Sequence, residues 1–139
     1  MMWAGLLAAA LAGAGPVPVD AALLDGLPVR RATLKAHGHE QSCEGPALID
    51  VLVRIGAPQG EMLRGPELTR SVLARARDGY AVLFSLGELD ASLGNLPAIV
   101  ATRCDGKPLP PTEGPYRIVV PGDGRPARSV RQLESLELR

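Results

Sequence analysis

Aromatic residues are scarce in this 139-residue chain, which contains one Phe, one Trp and two Tyr. This scarcity excludes an aromatic core and predicts a core built from Leu, Val, Ile and Ala. It also leaves few rings on which the bases of a single-stranded nucleic acid could stack. The formal net charge is zero and the pI is near 6.7, whereas nucleic-acid-binding domains are usually basic. We therefore expect no nucleic-acid partner.

Several signatures of nucleotide-binding and hydrolytic enzymes are missing. The chain has no Gly-x-Ser-x-Gly nucleophile elbow, no Walker loop and no Gly-x-Gly-x-x-Gly motif. Several of its glycines follow an aspartate, as in Asp78-Gly79, Asp105-Gly106 and Asp123-Gly124, and these pairs are typical of turns. The length fits one domain that can bury a core of its own.

Long apolar runs are also absent, and no segment is long enough to span a bilayer as a helix. Trp3 to Ala14 form a shorter run of uncharged residues, which has the length of a secretory h-region. We predict a signal peptide over residues 1–21, cleaved after Ala14 or Ala21, and one domain over residues 22–139. No Lys or Arg precedes the run, so a buried Ala-rich helix is the alternative. Cleavage would place the mature protein in the periplasm or outside the cell.

Only two cysteines are present, Cys43 and Cys104. In an oxidising compartment an even number of cysteines is typical of disulfide pairing. The two residues either form one disulfide across 61 positions or remain separate buried thiols. A redox-active pair is the weakest interpretation, because the chain has no Cys-x-x-Cys motif.

Hydrophobic periodicity predicts strands alternating with short helices. Helices are expected between Pro46 and Gly56, over residues 66–71 and over residues 86–93, with Pro46 in the first helical turn. Strands are expected over residues 29–37, 40–43, 72–77, 80–85, 97–103, 116–120 and 133–138. This order predicts an α+β fold with a mixed, mainly antiparallel sheet and short packed helices.

Positive charge is concentrated in residues 117–131, which we call the arginine segment. Its four arginines are Arg117, Arg125, Arg128 and Arg131. Asp123 is the one acid between the first and the last of them. Guanidinium groups bind phosphate and carboxylate through paired hydrogen bonds, so we predict that these arginines bind a small anion or a partner protein. The alternative is that they are solvated or paired with Glu134 or Glu137.

A second candidate site surrounds His37-Gly38-His39, with Glu40 and Cys43 nearby. Imidazole, carboxylate and thiolate are all zinc ligands. Two histidines on an exposed turn are nevertheless a poor ligand set, so we predict a polar turn and no metal.

Three segments of the chain share their order and spacing with a known family. They are Glu44-Gly-Pro-Ala-Leu-Ile-Asp-Val-Leu52, Asp78-Gly-Tyr-Ala-Val-Leu-Phe-Ser-Leu86, and Asp105-Gly-Lys-Pro-Leu-Pro110 followed by Gly114-Pro-Tyr-Arg-Ile-Val-Val-Pro-Gly122. Together they resemble the molybdopterin-binding domain of sulfite-oxidase-like oxidoreductases over about residues 27–138. In that family a G-x-x-L-x-x-L-L helix precedes a D-G-Y hairpin, and an N/D-G-x-P-L-P turn leads to a strand ending in V-V-P-G.

The resemblance implies a sulfite-oxidase-type α+β domain that binds molybdopterin, with the phosphate of the pterin at the arginine segment. In the larger members, a cysteine in a Cys-x-Gly-Asn-like loop upstream of the helix binds molybdenum. That loop is missing here, since Cys43 lies only two residues before Gly45 and Cys104 precedes the Asp-Gly turn. The resemblance thus implies a small, truncated molybdopterin-dependent oxidoreductase. The alternative is a non-catalytic module that kept the fold, lost the cofactor and binds a ligand or a protein.

Overall fold

The computed structural model describes residues 15–139, and the predicted h-region Trp3–Ala14 lies outside them. The strands of the described chain are β1 (Val17–Pro18), β2 (Val29–Ala36), β3 (His39–Pro46), β4 (Ser71–Ala76), β5 (Ala81–Ser85), β6 (Ile99–Ala101), β7 (Arg103–Cys104), β8 (Lys107–Pro108), β9 (Arg117–Val119) and β10 (Leu133–Leu138). Its α-helices are α1 (Ala21–Leu24), α2 (Leu48–Arg54) and α3 (Leu86–Leu89), and 3-10 helices cover Gly60–Met62, Gly65–Thr69 and Pro126–Arg128.

The strands form three antiparallel sheets. Two are four-stranded, with the orders β1-β10-β4-β5 and β2-β3-β7-β8, and the third pairs β6 with β9. Asp78-Gly79 lies in the turn that connects β4 to β5. Gly79 has a φ of 91°, a value that glycine adopts without steric penalty. The prediction of an α+β fold with mainly antiparallel pairing is confirmed.

The β6–β9 ribbon lies between two hydrophobic clusters, because successive strand residues face opposite sides. Val100 and Ile118 belong to the larger cluster, which also contains Phe84 and the buried faces of α2 and α3. Ile99 and Val119 belong to the smaller cluster, beneath β2 and β3. Phe84 is fully buried, and the other large residues of both clusters are aliphatic, as the composition predicts.

Some predicted boundaries are wrong for local physical reasons. Pro46 ends β3 instead of entering the helix, and Ala47 is the N-cap of α2. The predicted helix over residues 86–93 is only α3, which begins with a capping box between Ser85 and Glu88 and ends before Asp90. The predicted strand over residues 97–103 is divided into β6 and β7 on either side of Thr102.

Cys43 and Cys104 form a disulfide, so the alternative of two separate thiols is wrong. The residues face each other on β3 and β7, with a Cα–Cα distance of 4.0 Å. The bond joins the β2–β3 hairpin, the longest among residues 15–139, to the strand that precedes the Asp105-Gly106 turn. Neither thiol is therefore available as a metal ligand.

The predicted signal peptide overlaps the folded part at its C-terminal end. β1 pairs with β10, and the backbone N–H of Val19 donates to the carbonyl oxygen of Glu134 at 2.9 Å. Val19 is also part of the larger hydrophobic cluster. Across residues 15–139, no helix combines the length and apolar character that crossing a membrane requires.

Candidate functional site

Arg117, the first arginine of the segment, is buried in the protein. It lies on β9 and is only 5% exposed. Its Nη1 donates to the carboxylate of Glu113 at 2.5 Å, and its Nη2 donates to the carbonyl oxygen of Ser129 at 2.7 Å. Its Nε–H has no hydrogen-bond partner among residues 15–139. Since buried polar groups are almost always hydrogen-bonded, this unpaired donor is unusual.

The pKa of Arg117 is lowered from its ordinary value. Burial is the main cause, because it disfavours the charged form, and the nearby positive charge of Arg131 lowers the pKa further. The hydrogen bond to Glu113 acts in the opposite direction. Arg117 remains protonated at neutral pH, as arginine does in proteins, so two like charges lie close together here.

Arg128 is engaged by two carboxylates. Its Nε and Nη2 donate to the two oxygens of Asp123, each at 2.9 Å, and its Nη1 donates to Glu88 at 2.8 Å. The guanidinium also lies over the ring of Phe84, with 5.4 Å to the centroid. The hydrogen bonds to Asp123 and Glu88 raise the pKa of Arg128, and the hydrogen bond from Arg128 lowers the pKa of Asp123.

Glu88 has a structural role at the start of α3. Its carboxylate accepts hydrogen bonds from the backbone N–H and the hydroxyl of Ser85, which completes the capping box. Burial acts to raise the pKa of Glu88, but the hydrogen bonds from Arg128 and Ser85 outweigh it, and the net pKa is lowered. Arg128 therefore ties the arginine segment to the first turn of α3.

Arg125 and Arg131 differ from the other two arginines because both side chains are exposed. Neither forms an ion pair or a side-chain hydrogen bond with any of residues 15–139. Pairing with Glu134 or Glu137 is thus not seen, and Glu137 instead contacts Arg139 at 3.6 Å. Within the described chain, these two guanidinium groups keep all their donors for a ligand or for water.

Arg117, Arg125 and Arg131 all line one cleft of about 880 Å³. The tip of the β2–β3 hairpin, where His37 and His39 lie, also lines this cleft. The volume falls within the range of small-molecule sites. The structure therefore brings together the histidine turn and the arginine segment, which the sequence indicated as separate candidates, whereas Arg128 does not line this cleft.

Tyr80 connects the β4–β5 turn to the arginine segment at the cleft wall. Its hydroxyl donates to the carbonyl oxygen of Ala127 at 2.5 Å, which fixes the phenol, and 49% of the residue stays exposed. Sequence reasoning did not identify this contact as part of the site. The D-G-Y hairpin motif contained the residue, but nothing in the local pattern indicates a partner 47 positions away.

Two aspartates of the cleft wall belong to turns. Asp78 accepts a hydrogen bond from the backbone N–H of Tyr80, and Asp105 accepts one from that of Ser42, both at 3.0 Å. In each case one carboxylate oxygen is used. Within residues 15–139, neither aspartate pairs with a Lys or Arg side chain.

Metal ligands are not grouped in the described chain, where no cluster of three His, Cys, Asp or Glu residues could hold an ion. The His37 and His39 turn cannot recruit Cys43, since that sulfur is in the disulfide. Molybdenum bound by a cysteine thiolate also does not fit, because both cysteines of the chain are used in the same bond.

The sequence matches no model of a known protein family and no characterised protein. The geometry of the cleft is consequently the basis of the functional proposal.

Proposed function

We propose that this protein is an exported binding module that holds the anionic group of a small ligand between Arg125 and Arg131. One observation carries the proposal: these two arginines line a cleft of about 880 Å³ and have no ion-pair partner within residues 15–139. Arg117 and Arg128 are already bound by carboxylates. The free guanidinium groups match phosphate and carboxylate oxygens in geometry and charge.

The environment of Arg117 supports an anion in the cleft. Its guanidinium and that of Arg131 are close enough for the charge of Arg131 to lower the pKa of Arg117. A ligand anion beside Arg131 would reduce this repulsion between like charges, and the gain would add to the hydrogen bonds that the ligand accepts.

Two features support export. The chain carries a disulfide, which is typical of oxidising compartments, and its first residues have the pattern of a secretory h-region. The ligand would then be a solute or a surface group outside the cytoplasm.

The test is binding of inorganic phosphate, measured by calorimetry on the exported protein and on Arg125→Gln/Arg131→Gln. We expect this variant to bind at least tenfold more weakly, because two charge-assisted contacts are lost and hydrogen bonds to charged groups each contribute about 1.5–3 kcal/mol. The control is Arg30→Gln/Arg31→Gln, which removes the same charge from exposed positions of β2 outside the cleft. Equal losses in the two variants would refute a site at Arg125 and Arg131, because the effect would then come from net charge alone.

A molybdopterin-dependent oxidoreductase is the second candidate, favoured by the three segments that resemble the sulfite-oxidase-like family. The arginine segment would contact the phosphate of the pterin through Arg125 and Arg131. The residues do not fit the metal, because the disulfide between Cys43 and Cys104 leaves no thiolate for molybdenum.

Elemental mass spectrometry separates the two candidates. The protein would be exported in a host that makes the cofactor, and molybdenum and released oxidised pterin would be measured in the same sample. We expect neither in stoichiometric amount. Stoichiometric molybdenum with pterin would overturn the binding-module proposal in favour of the oxidoreductase.

A further inference from the structure

The charged residues that line the cleft narrow the class of ligand beyond a small anion. The acidic residues of the cleft wall are Glu40, Asp78, Asp105 and Glu113, and its arginines are three in number. A ligand that carried negative charge alone would meet repulsion from this wall as well as attraction. A ligand with one positive and one negative group would match both kinds of side chain.

Charges of both signs remain unpaired within the same cleft. Asp78 and Asp105 each use a single oxygen, on a backbone N–H, and neither lies within ion-pair distance of Arg125 or Arg131. Glu113 is different because it already binds Arg117. Glu40 pairs with Lys35 at 3.5 Å. Two aspartates and two arginines are thus the lining residues whose charges have no ion-pair partner within residues 15–139.

We propose that the ligand is a zwitterion of amino-acid or short-peptide size, with its carboxylate on Arg125 and Arg131 and its ammonium on Asp78 and Asp105. This inference rests on the proposed function, because the arginines are the same. An ammonium group has three donors and matches carboxylate oxygens, while a terminal carboxylate accepts paired bonds from guanidinium.

The uncharged residues that line the cleft are compatible with a peptide ligand. Gln41 and Thr112 line the cleft, and neither side chain makes a hydrogen bond to residues 15–139. Amide and hydroxyl groups both donate and accept hydrogen bonds, as peptide groups do. Half-exposed Tyr80 adds an aromatic ring to the lining of the same cleft. The volume of about 880 Å³ accommodates several residues.

The experiment is an NMR titration of the exported protein with glycine, diglycine, triglycine and tetraglycine. The tightest of these is then compared with its N-acetyl form, which lacks the ammonium, and with its C-terminal amide, which lacks the carboxylate. We expect each blocked form to bind at least tenfold more weakly than the free peptide. Inorganic phosphate is titrated in parallel.

Asp78→Asn/Asp105→Asn tests the ammonium site directly. Asparagine keeps the oxygen that accepts each turn hydrogen bond, and it tolerates the positive φ of 52° at position 105. We expect about tenfold weaker binding of the free peptide and unchanged binding of the N-acetyl form, which loss of structure alone would not produce. Asp25→Asn, at an exposed position outside the cleft, is the control.

The outcomes separate the inference from the proposed function. If the N-acetyl form or phosphate binds as tightly as the free peptide, the zwitterion is wrong and the anion site stands. If the amide binds as tightly as the free peptide, the zwitterion is also wrong, and the phosphate titration alone decides the anion site. If no probe binds, both proposals are overturned.

Discussion

Arg128→Ala is predicted to destabilise the protein by about 2–3 kcal/mol. The change removes three charge-assisted hydrogen bonds, two to Asp123 and one to Glu88, and the contact over Phe84. Exposed ion pairs contribute about 0.2–1 kcal/mol, and breaking buried ones costs about 3–5 kcal/mol. The Arg128 side chain is 34% exposed, so an intermediate value is expected. The stacking over Phe84 adds about 0.5–1 kcal/mol.

The pH dependence of this loss follows from the two carboxylates. The pKa values of Asp123 and Glu88 are lowered in the folded protein, so each contributes stability above its unfolded pKa. That contribution disappears as the pH falls through the folded pKa, which lies below the ordinary value of each carboxyl group. The difference in unfolding free energy between the wild type and Arg128→Ala should therefore be largest near neutral pH and shrink in acid.

Urea unfolding at pH 7 and at pH 3 measures both effects. Arg125→Ala is the matched control, since it removes an arginine of the same segment that has no partner within residues 15–139. We expect Arg125→Ala to stay within about 0.5 kcal/mol of the wild type. The reasoning is refuted if both variants lose the same stability, or if the loss in Arg128→Ala is equal at the two pH values.

Three further predictions concern the scaffold. Replacing Cys43 and Cys104 together by alanine should lower the unfolding free energy by about 4 kcal/mol in urea titrations, since the bond closes a loop of 61 positions; a loss below about 1 kcal/mol would contradict this. Gly45→Ala should reduce the yield of folded protein, because a Cβ would lie 1.9 Å from the carbonyl oxygen of Val100; wild-type yield and melting temperature would disprove it. Mass spectrometry of the exported protein should find Gly15 as the first residue, because the later cleavage would remove β1, and a chain starting after that strand would refute this.

Much of the fold could be predicted because its signals are local. The bounds of β10 match the prediction, and the Asp78-Gly79 hairpin follows from a turn pair that favours positive φ at glycine. The errors occur where a local signal has two interpretations. Pro46 is as compatible with the end of a strand as with the first turn of a helix, and Ser85 with Glu88 marks where α3 begins but not where it ends.

The site could be predicted only in part, because its geometry depends on distant contacts. The sequence placed four arginines together, and the local acid Asp123 does bind one of them. It did not reveal that Glu88 would bind Arg128 from 40 positions away, nor that the β2–β3 hairpin would line the same cleft as the segment. For the same reason, the sequence does not determine whether Cys43 and Cys104 pair, since they are 61 positions apart.

The four arginines have different roles. This explains how a segment of concentrated positive charge can be held in place while two of its guanidinium groups stay unpaired. Arg128 is neutralised by carboxylates on two sides and, with the hydrogen bond from Tyr80, holds the segment against the β4–β5 hairpin and α3. Arg117 fixes β9 from the protein interior through its hydrogen bond to Glu113. Within residues 125–131, the carbonyl oxygens of Ala127 and Ser129 accept hydrogen bonds from Tyr80 and Arg117, which hold this backbone in place. A fixed backbone would reduce the freedom that the guanidinium groups of Arg125 and Arg131 lose on binding the proposed ligand. The proposed site therefore rests on unpaired charge held on a fixed backbone, and not on density of charge alone.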